Sequence, residues 1–346
     1  MRVLVTGGAG YIGAVLCRQL IDAGHRPVVL DRLFWGRKPL AGLDVEIRSG
    51  DLRDFDQTML EGIDAVAHLS GLSNDPTAEY NPTANWQMNA LATDRLVAAC
   101  VACRIERFTF ASSASIYDSE ASAQSSRSPM MCDETTVVAP RGAYSISKKY
   151  AEDAILRAAS ERFAPVIFRQ GTVYGYSPRM RFDLVVNTFI KDAIVHRRLS
   201  LHGGGWMWRP LVDVEDVARV HVLALEAPLD RIRGQIFNVL EEKYQIRQLA
   251  MLVAGALSLV KPALSVELSE TPLPALVRNY RMSNAKLSSA LDFTPSRTVL
   301  ESIQHMLECL PLDRLDDYGD PRYYNIRWMT LLEELHAEQR EFATIY

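Results

Sequence analysis

Residues 144–148 read Tyr-Ser-Ile-Ser-Lys, and a helical pattern, KYAEDAIL, continues from Lys149. On a helix Tyr144 and Lys148 stand at i and i+4 and share a face. A free tyrosine titrates near ~10 and is a poor base at neutral pH. A lysine cation beside it stabilises the phenolate and lowers that pKa. The pair could then remove or return a proton at a substrate hydroxyl. Ser112 and Ser113 close the apolar run RFTFASS and could set a hydroxyl beside the tyrosine. A Ser/Tyr/Lys trio serves hydride transfer at a carbon bearing a hydroxyl or carbonyl, provided a dinucleotide lies beside it. The same lysine would hold the nicotinamide ribose.

The first residues, MRVLVTGGAGYIG, supply a place for that dinucleotide. Val3, Leu4 and Val5 predict a short buried strand. From Tyr11 to Ala23 the apolar residues Ile12, Val15, Leu16, Leu20 and Ile21 predict a helix with one buried face. Gly7, Gly10 and Gly13 sit in the turn between them. Gly7 allows the tight turn, Gly10 lets the backbone approach a pyrophosphate at the helix N-terminus, and Gly13 allows close packing. The spacing is GxxGxxG, and the strand-turn-helix context makes it a dinucleotide fingerprint. Asp31 ends the next strand, PVVLD. A carboxylate there accepts ribose hydroxyls and repels a 2′-phosphate, which favours NAD over NADP. Arg32 and Arg37, close by, pull weakly the other way.

The elements that must position these groups alternate along the chain. Strand patterns recur at VEIRS (45–49), IDAVAHLSG (63–71), RFTFASS (107–113) and PVIFR (165–169). Helical patterns occupy 85–102 and 144–160, and a serine-rich loop lies at 119–128. This alternation predicts an α/β fold, a Rossmann-type doubly wound parallel sheet, over 1–175. Beyond it, RFDLVVNTFIKDAIV and VEDVARVHVLALEA read as helices, GQIFNVL as a strand, and LSLHGGGWMWRPLV as a hairpin turning at its three glycines. Residues 176–310 are expected to form a smaller mixed α/β cap for substrate, with 207–240 returning strands to the sheet. Residues 311–346 form an amphipathic helical tail suited to packing or oligomer contact.

The 346 residues are 48% hydrophobic and 23% charged, with a formal net charge of −4. No basic surplus points to nucleic acid. No run of 18 apolar residues points to a membrane span. A strand starting at residue 2 leaves no room for a signal peptide, so the expectation is a cytoplasmic protein. The cysteines (Cys17, Cys100, Cys103, Cys132, Cys309) are odd in number and form no framework. Cys100 and Cys103 lie within a helical pattern with no second pair, so no metal site is expected. His68, at a buried strand end, reads as a core histidine. Trp206 and Trp208 read as packing residues, and Glu134 is a candidate for the sugar pocket.

In chain order the segments TGGAGYIG, GDLRD, HLSG, SSASIY, YSISK with AE following, RQGTVYG, WRPLVDVEDVA and FNV appear. Together they are similar to the extended short-chain dehydrogenase/reductase family, within its NAD-dependent nucleotide-sugar epimerase/dehydratase group, and the likeness covers nearly the whole chain. The resemblance implies NAD as cofactor, a nucleotide-diphosphate sugar as substrate and a homodimer. It implies that Ser113, Tyr144 and Lys148 are catalytic. It implies that Tyr11, Ile12 and Asn89 join the glycine turn at the cofactor, that Asp51 and Leu52 meet the adenine, and that Leu69, Ser70 and Gly71 pass the pyrophosphate and ribose. It places Arg209 and Arg278 at the nucleotide diphosphate, where guanidinium forks pair with phosphate oxygens. The SNDP of 73–76 brings Ser73 and Asn74 to the sugar, with Ser115 and Thr172. SPRMRFDLVVN (177–187) brings Arg181 and Asn187 to the nucleotide.

Several positions depart from family patterns. Ala114 and Ser115 stand where related 4,6-dehydratases carry Asp-Glu, so no acid is there to protonate a leaving hydroxyl. SSASIY has Ser115 where the 3,5-epimerases of GDP-mannose carry a cysteine. Thr172 stands for a frequent asparagine and Asp213 for a frequent histidine. The leading reading is a 4-epimerase passing through a 4-keto sugar. The alternatives are a 4-ketoreductase or dehydratase of the same family and, from another class, a non-enzymatic dinucleotide sensor. Retention of Tyr144 and Lys148 favours an enzyme.

Overall fold

The computed structural model describes residues 1–118, 129–272 and 278–345; the serine-rich segment 119–128 lies outside them. Seven parallel strands form the central sheet. In space they run Gln235–Val239, Ala164–Gln170, Arg107–Ser113, Ala65–His68, Arg2–Thr6, Arg26–Asp31 and Glu46–Ser49. The chain leaves Arg2–Thr6 in one direction and later resumes on its other side, so a crevice opens at the strands' carboxyl ends.

Each strand feeds two cores because successive side chains face opposite ways. Val3, Val5, Ala65 and Ala67 pack toward the helices Tyr11–Asp22 and Val214–Glu226. Leu4, Val66, Phe108 and Phe110 face the other side, against Leu96, Val97, Ala151 and Ile155 of the helices Ala92–Ala102 and Ala143–Ala158. Burial on both faces explains why these strands read as continuous apolar runs. The expected doubly wound sheet is therefore present, with Gln235–Val239 returning to its edge.

Two expectations change. The helix read at 85–102 is interrupted: Pro82–Trp86 passes through a wide π-turn, Gln87–Leu91, before Ala92–Ala102. The hairpin read at 199–212 does not form. Gly203, Gly204 and Gly205 all take positive φ, and three left-handed residues in succession carry the chain away instead of folding it back. Arg198–His202 pairs in parallel with Glu267–Thr271. Trp208–Asp213 pairs with Thr172–Tyr174 and Glu242–Gln245, in a small sheet apart from the central one. Trp206 is half exposed, under the Arg247 guanidinium, so of the two tryptophans only Trp208 belongs to a strand. Among the described residues no helix is long and apolar enough to cross a membrane.

One buried polar chain ties the layers together. Ser112 Oγ donates to Glu152 at 2.6 Å, and Glu152 pairs with Arg169 at 2.8 Å. Arg169 also donates to the Tyr117 hydroxyl (2.9 Å), which donates to Asn238 (2.8 Å). Removing one partner of a buried ion pair leaves the other charge uncompensated. Glu152→Gln is therefore expected to lower unfolding free energy by about 3–5 kcal/mol in urea titration. An unchanged urea midpoint would show that the pair does not hold the fold.

Candidate active site

The glycine turn owes its shape to two contacts. Gly7 sits at φ +75°, and a Cβ there would lie 3.0 Å from the Ser70 amide nitrogen. A Cβ at Gly13 would lie 2.1 Å from the Gly7 carbonyl oxygen, so the helix start is pressed onto the turn itself. Gly10 begins the helix, and no side chain caps its amides. The amides at a helix N-terminus lack intrahelical partners and suit an anion. These residues line a cleft with about 1100 Å³ of free space, together with Tyr11, Ile12, Asp31, Leu52, Leu69, Ser70 and Gly71.

Asp31 closes the far side of the turn. Its carboxylate accepts the amides of Ala9 (3.0 Å) and Leu33 (2.7 Å). Burial raises its pKa, and those two bonds and Arg32 oppose the rise. Arg32 is itself occupied, 3.1 Å from Asp51 and stacked 4.1 Å from the centre of the Phe34 ring. Asp51 also pairs with Arg53 at 2.7 Å and caps the turn that follows. It stands behind the cleft wall, where Leu52 faces the cavity. Asn89 likewise stands behind the wall. Its amide accepts the Leu72 N–H (2.8 Å) and donates to the Leu72 carbonyl (2.9 Å). Its Oδ1 would meet a Gly71 Cβ at 2.3 Å. Asn89 therefore shapes the turn at Gly71–Leu72 without facing the cleft.

A second cavity, with about 2100 Å³ of free space, lies beside the first. Tyr11, Ile12, Ser73 and Arg181 line both. Its walls carry Ser113, Ser115, Tyr144, Asn74, Thr172, Arg209 and Arg278. Burial raises the Tyr144 pKa; Ser113, the Arg181 cation and the Asn74 backbone lower it. Asn74 holds that backbone at φ +73° and caps the helix Asp75–Tyr80. Lys148 lies deeper. Its Nζ donates to the Ala111 carbonyl at 2.9 Å and stands 5.9 Å from the centre of the Tyr144 ring. Burial lowers its pKa to about 8, opposed by Glu152. Lys148 shares the helical face of Tyr144 as the spacing suggests, and Arg181 is a further cation lowering the phenol's pKa.

Other groups sort by what they touch. Arg181 is held by both oxygens of Asp183, at 2.8 Å each, and donates to Ser73 Oγ at 2.9 Å. Arg209 donates to the Trp208 carbonyl at 2.8 Å and to the Arg278 carbonyl; Arg278 pairs with Asp75. Ser115 Oγ and Asp75 Oδ1 are buried in the cavity wall with no hydrogen-bond partner. Asn187 is fully buried and spends its amide on Tyr11, Gly175 and Arg181, so it braces the cleft from behind. Asp213 caps the helix Val214–Glu226 through Glu215 N–H (2.7 Å) and accepts from Ser302, away from both cavities. Glu134 accepts the Asn238 amide at 2.7 Å and does not line the cavity. His68 lies between the Thr6 and Thr93 hydroxyls, and burial lowers its pKa to about 3. No group of His, Cys, Asp and Glu among the described residues could hold a metal ion.

One functional group escaped the sequence reading. Arg179 lines the first cleft, buried, with its guanidinium 3.7 Å from the centre of the Trp35 ring. Among the described residues it has no carboxylate partner, and its Nε has no acceptor. The signal was present in SPRMR, where two arginines stand two residues apart.

Residues 3–239 match the NAD dependent epimerase/dehydratase family, and the chain belongs to it. It is 32% identical to a UDP-glucose 4-epimerase of Azospirillum brasilense over 65% of this chain and 68% of that one. It is 26% identical to a UDP-glucose 4-epimerase of Corynebacterium glutamicum over 88% of this chain and 93% of that one. A UDP-glucose 4-epimerase of Thermus thermophilus, solved with NAD, superposes with a TM-score of 0.75 at 26% identity, over 90% of this chain and all of that one.

The Asp213 cap has a pH consequence. Burial raises its pKa to about 6, so the folded state binds a proton that the unfolded chain releases near ~4. The stability this proton contributes is full below about pH 4 and lost as pH rises through about 6. Asp213→Asn should remove this slope. The wild-type stability relative to the variant should fall by on the order of 2 kcal/mol between those limits. A pH-independent difference in denaturation midpoints would contradict the assignment.

Proposed function

We propose that the protein is an NAD-dependent nucleotide-diphosphate-sugar epimerase that inverts C4 through a transient 4-keto sugar. The observation that carries this reading is the position of Tyr144, in the wall of a roomy cavity that shares Tyr11, Ile12, Ser73 and Arg181 with the glycine-turn cleft. The residues of that cleft fit NAD. Uncapped helix amides and the uncompensated Arg179 suit a diphosphate, and Asp31 opposes a 2′-phosphate. Lys148 keeps two N–H donors beyond its bond to Ala111, enough for a ribose. Arg209 and Arg278 in the second cavity suit the substrate's diphosphate, and the unpartnered Ser115 Oγ and Asp75 Oδ1 suit sugar hydroxyls.

Bound NAD supplies the acceptor of the C4 hydride and its donor after the sugar has turned. The Tyr144 oxygen takes the C4 hydroxyl proton and returns it on the opposite face. Ser113, Arg181 and the Asn74 amide oppose the rise that burial imposes on the phenol's pKa. The cavity leaves the sugar room to rotate while the arginines keep its diphosphate. Ala114 and Ser115 supply no carboxylic acid after Ser113, which weighs against a dehydratase. A reductase drawing on NADPH would meet the Asp31 carboxylate. The names of the Azospirillum and Thermus relatives support the same reading. It carries with it a cytoplasmic homodimer, checked by light scattering.

Untreated purified protein, once denatured, should release near-stoichiometric NAD and should epimerise its nucleotide sugar with no cofactor added. Protein that is empty and takes NADPH from solution would overturn the reading in favour of a reductase. Tyr144→Phe should keep its NAD and lose about 10²–10⁴-fold in turnover.

A further inference from the structure

Amphipathicity alone points the C-terminal tail toward packing or oligomer contact. The structure lays it along the dinucleotide cleft, where Asn325, Trp328 and Met329 of the helix Asn325–Ile345 form part of the wall. The contacts reach both sides of the cleft. Trp328 donates its indole N–H to the Phe34 carbonyl at 2.6 Å, and its ring lies 6.1 Å from Trp35. Phe34 and Trp35 lie three and four residues after Asp31, in the loop after the second strand. Asn325 accepts from Arg179 at 2.6 Å and donates to Ser73 at 3.1 Å, bridging the substrate side to the turn after the fourth strand. The Tyr323 carbonyl accepts the Phe182 amide at 3.0 Å. On the outer surface the Tyr80 hydroxyl donates to Glu333 (2.7 Å) and accepts from Thr330 (3.1 Å).

We propose that this helix is a clasp on the cofactor site, and that Asn325 and Trp328 are positioning residues that slow the release of NAD. A dinucleotide lying from the Gly10 turn to Asp31 has the loop Phe34–Trp35 on one side and Arg179 on the other. The segment 325–329 joins those two sides, so opening the cleft there breaks its bonds to Phe34 or to Arg179. Asn325 has a second effect. It fixes one end of the Arg179 guanidinium, which also rests on Trp35, and leaves Nε without a protein acceptor. The clasp therefore aims a cation at the place where a diphosphate would lie. The inference rests on the proposed resident NAD: chemistry that reuses one cofactor molecule needs it to stay through many turnovers.

The test is the rate at which NAD leaves. Wild type, Trp328→Ala and Tyr80→Phe are loaded with NAD and mixed with an excess of an NAD-hydrolysing enzyme. Protein-bound NAD is then followed with time. Trp328→Ala should release it about ten-fold faster, since lost contacts act mainly on dissociation. Tyr80 lies outside the cleft wall, and its loss should accelerate release by roughly three-fold through the clasp alone. Rates equal to wild type in both variants would overturn the proposal. If Trp328→Ala fails to fold by circular dichroism, the Tyr80→Phe rate decides. Wild-type protein that purifies empty would count against the resident-cofactor reading, while the rates measured after loading would still decide the clasp.

Discussion

A carboxylate with no access to water, Glu152, fixes the relation between the sheet and the helix that carries the chemistry. It sits one turn after Lys148 and binds both Ser112 and Arg169. Ser112 is the neighbour of Ser113, and Arg169 belongs to the next strand. A buried carboxylate is stable only when its oxygens are satisfied, so helix and strands must meet in one register. That register sets Ser113 and Tyr144 in the cavity wall, with Lys148 buried deeper. It also explains why adjacent serines divide their work, with Ser112 bonded inward and Ser113 facing the site.

Much of this arrangement is legible in the sequence because it depends on local pattern. Val3–Val5 followed by three glycines and an amphipathic helix admits few folds, and the structure realises the expected turn. The parallel sheet follows from apolar runs separated by helices. The failures are of another kind. The three glycines at 203–205 look like a hairpin turn, but their left-handed run and two distant strands decide the pairing. Tyr144 and Lys148 share a helical face, but spacing does not reveal that Arg181, far along the chain, also lowers the phenol's pKa. Asn89 and Asn187 are buried behind the cavity walls and Asp51 is tied to Arg32 and Arg53, because each satisfies backbone or charge partners that sequence spacing does not reveal.

The two cavities differ in the kind of recognition they offer. The first is walled by backbone amides, small residues and aromatic rings, with Arg32, Arg179 and Arg181 among them. In the second, Arg181 pairs with Asp183 and Arg278 with Asp75, while Arg209 bonds to the Trp208 and Arg278 carbonyls. A paired arginine keeps unused donors while its charge is compensated. The C-terminal helix lines the first cavity, and none of its described residues lines the second.

The central claim is that hydride leaves and returns to the same sugar carbon within one closed site. The most direct measurement follows deuterium placed at C4 of the nucleotide sugar that turns over. The account predicts an epimer that keeps the label at C4, with none in solvent or free cofactor. Label that washes into solvent, or that accumulates in cofactor released from the protein, would contradict it.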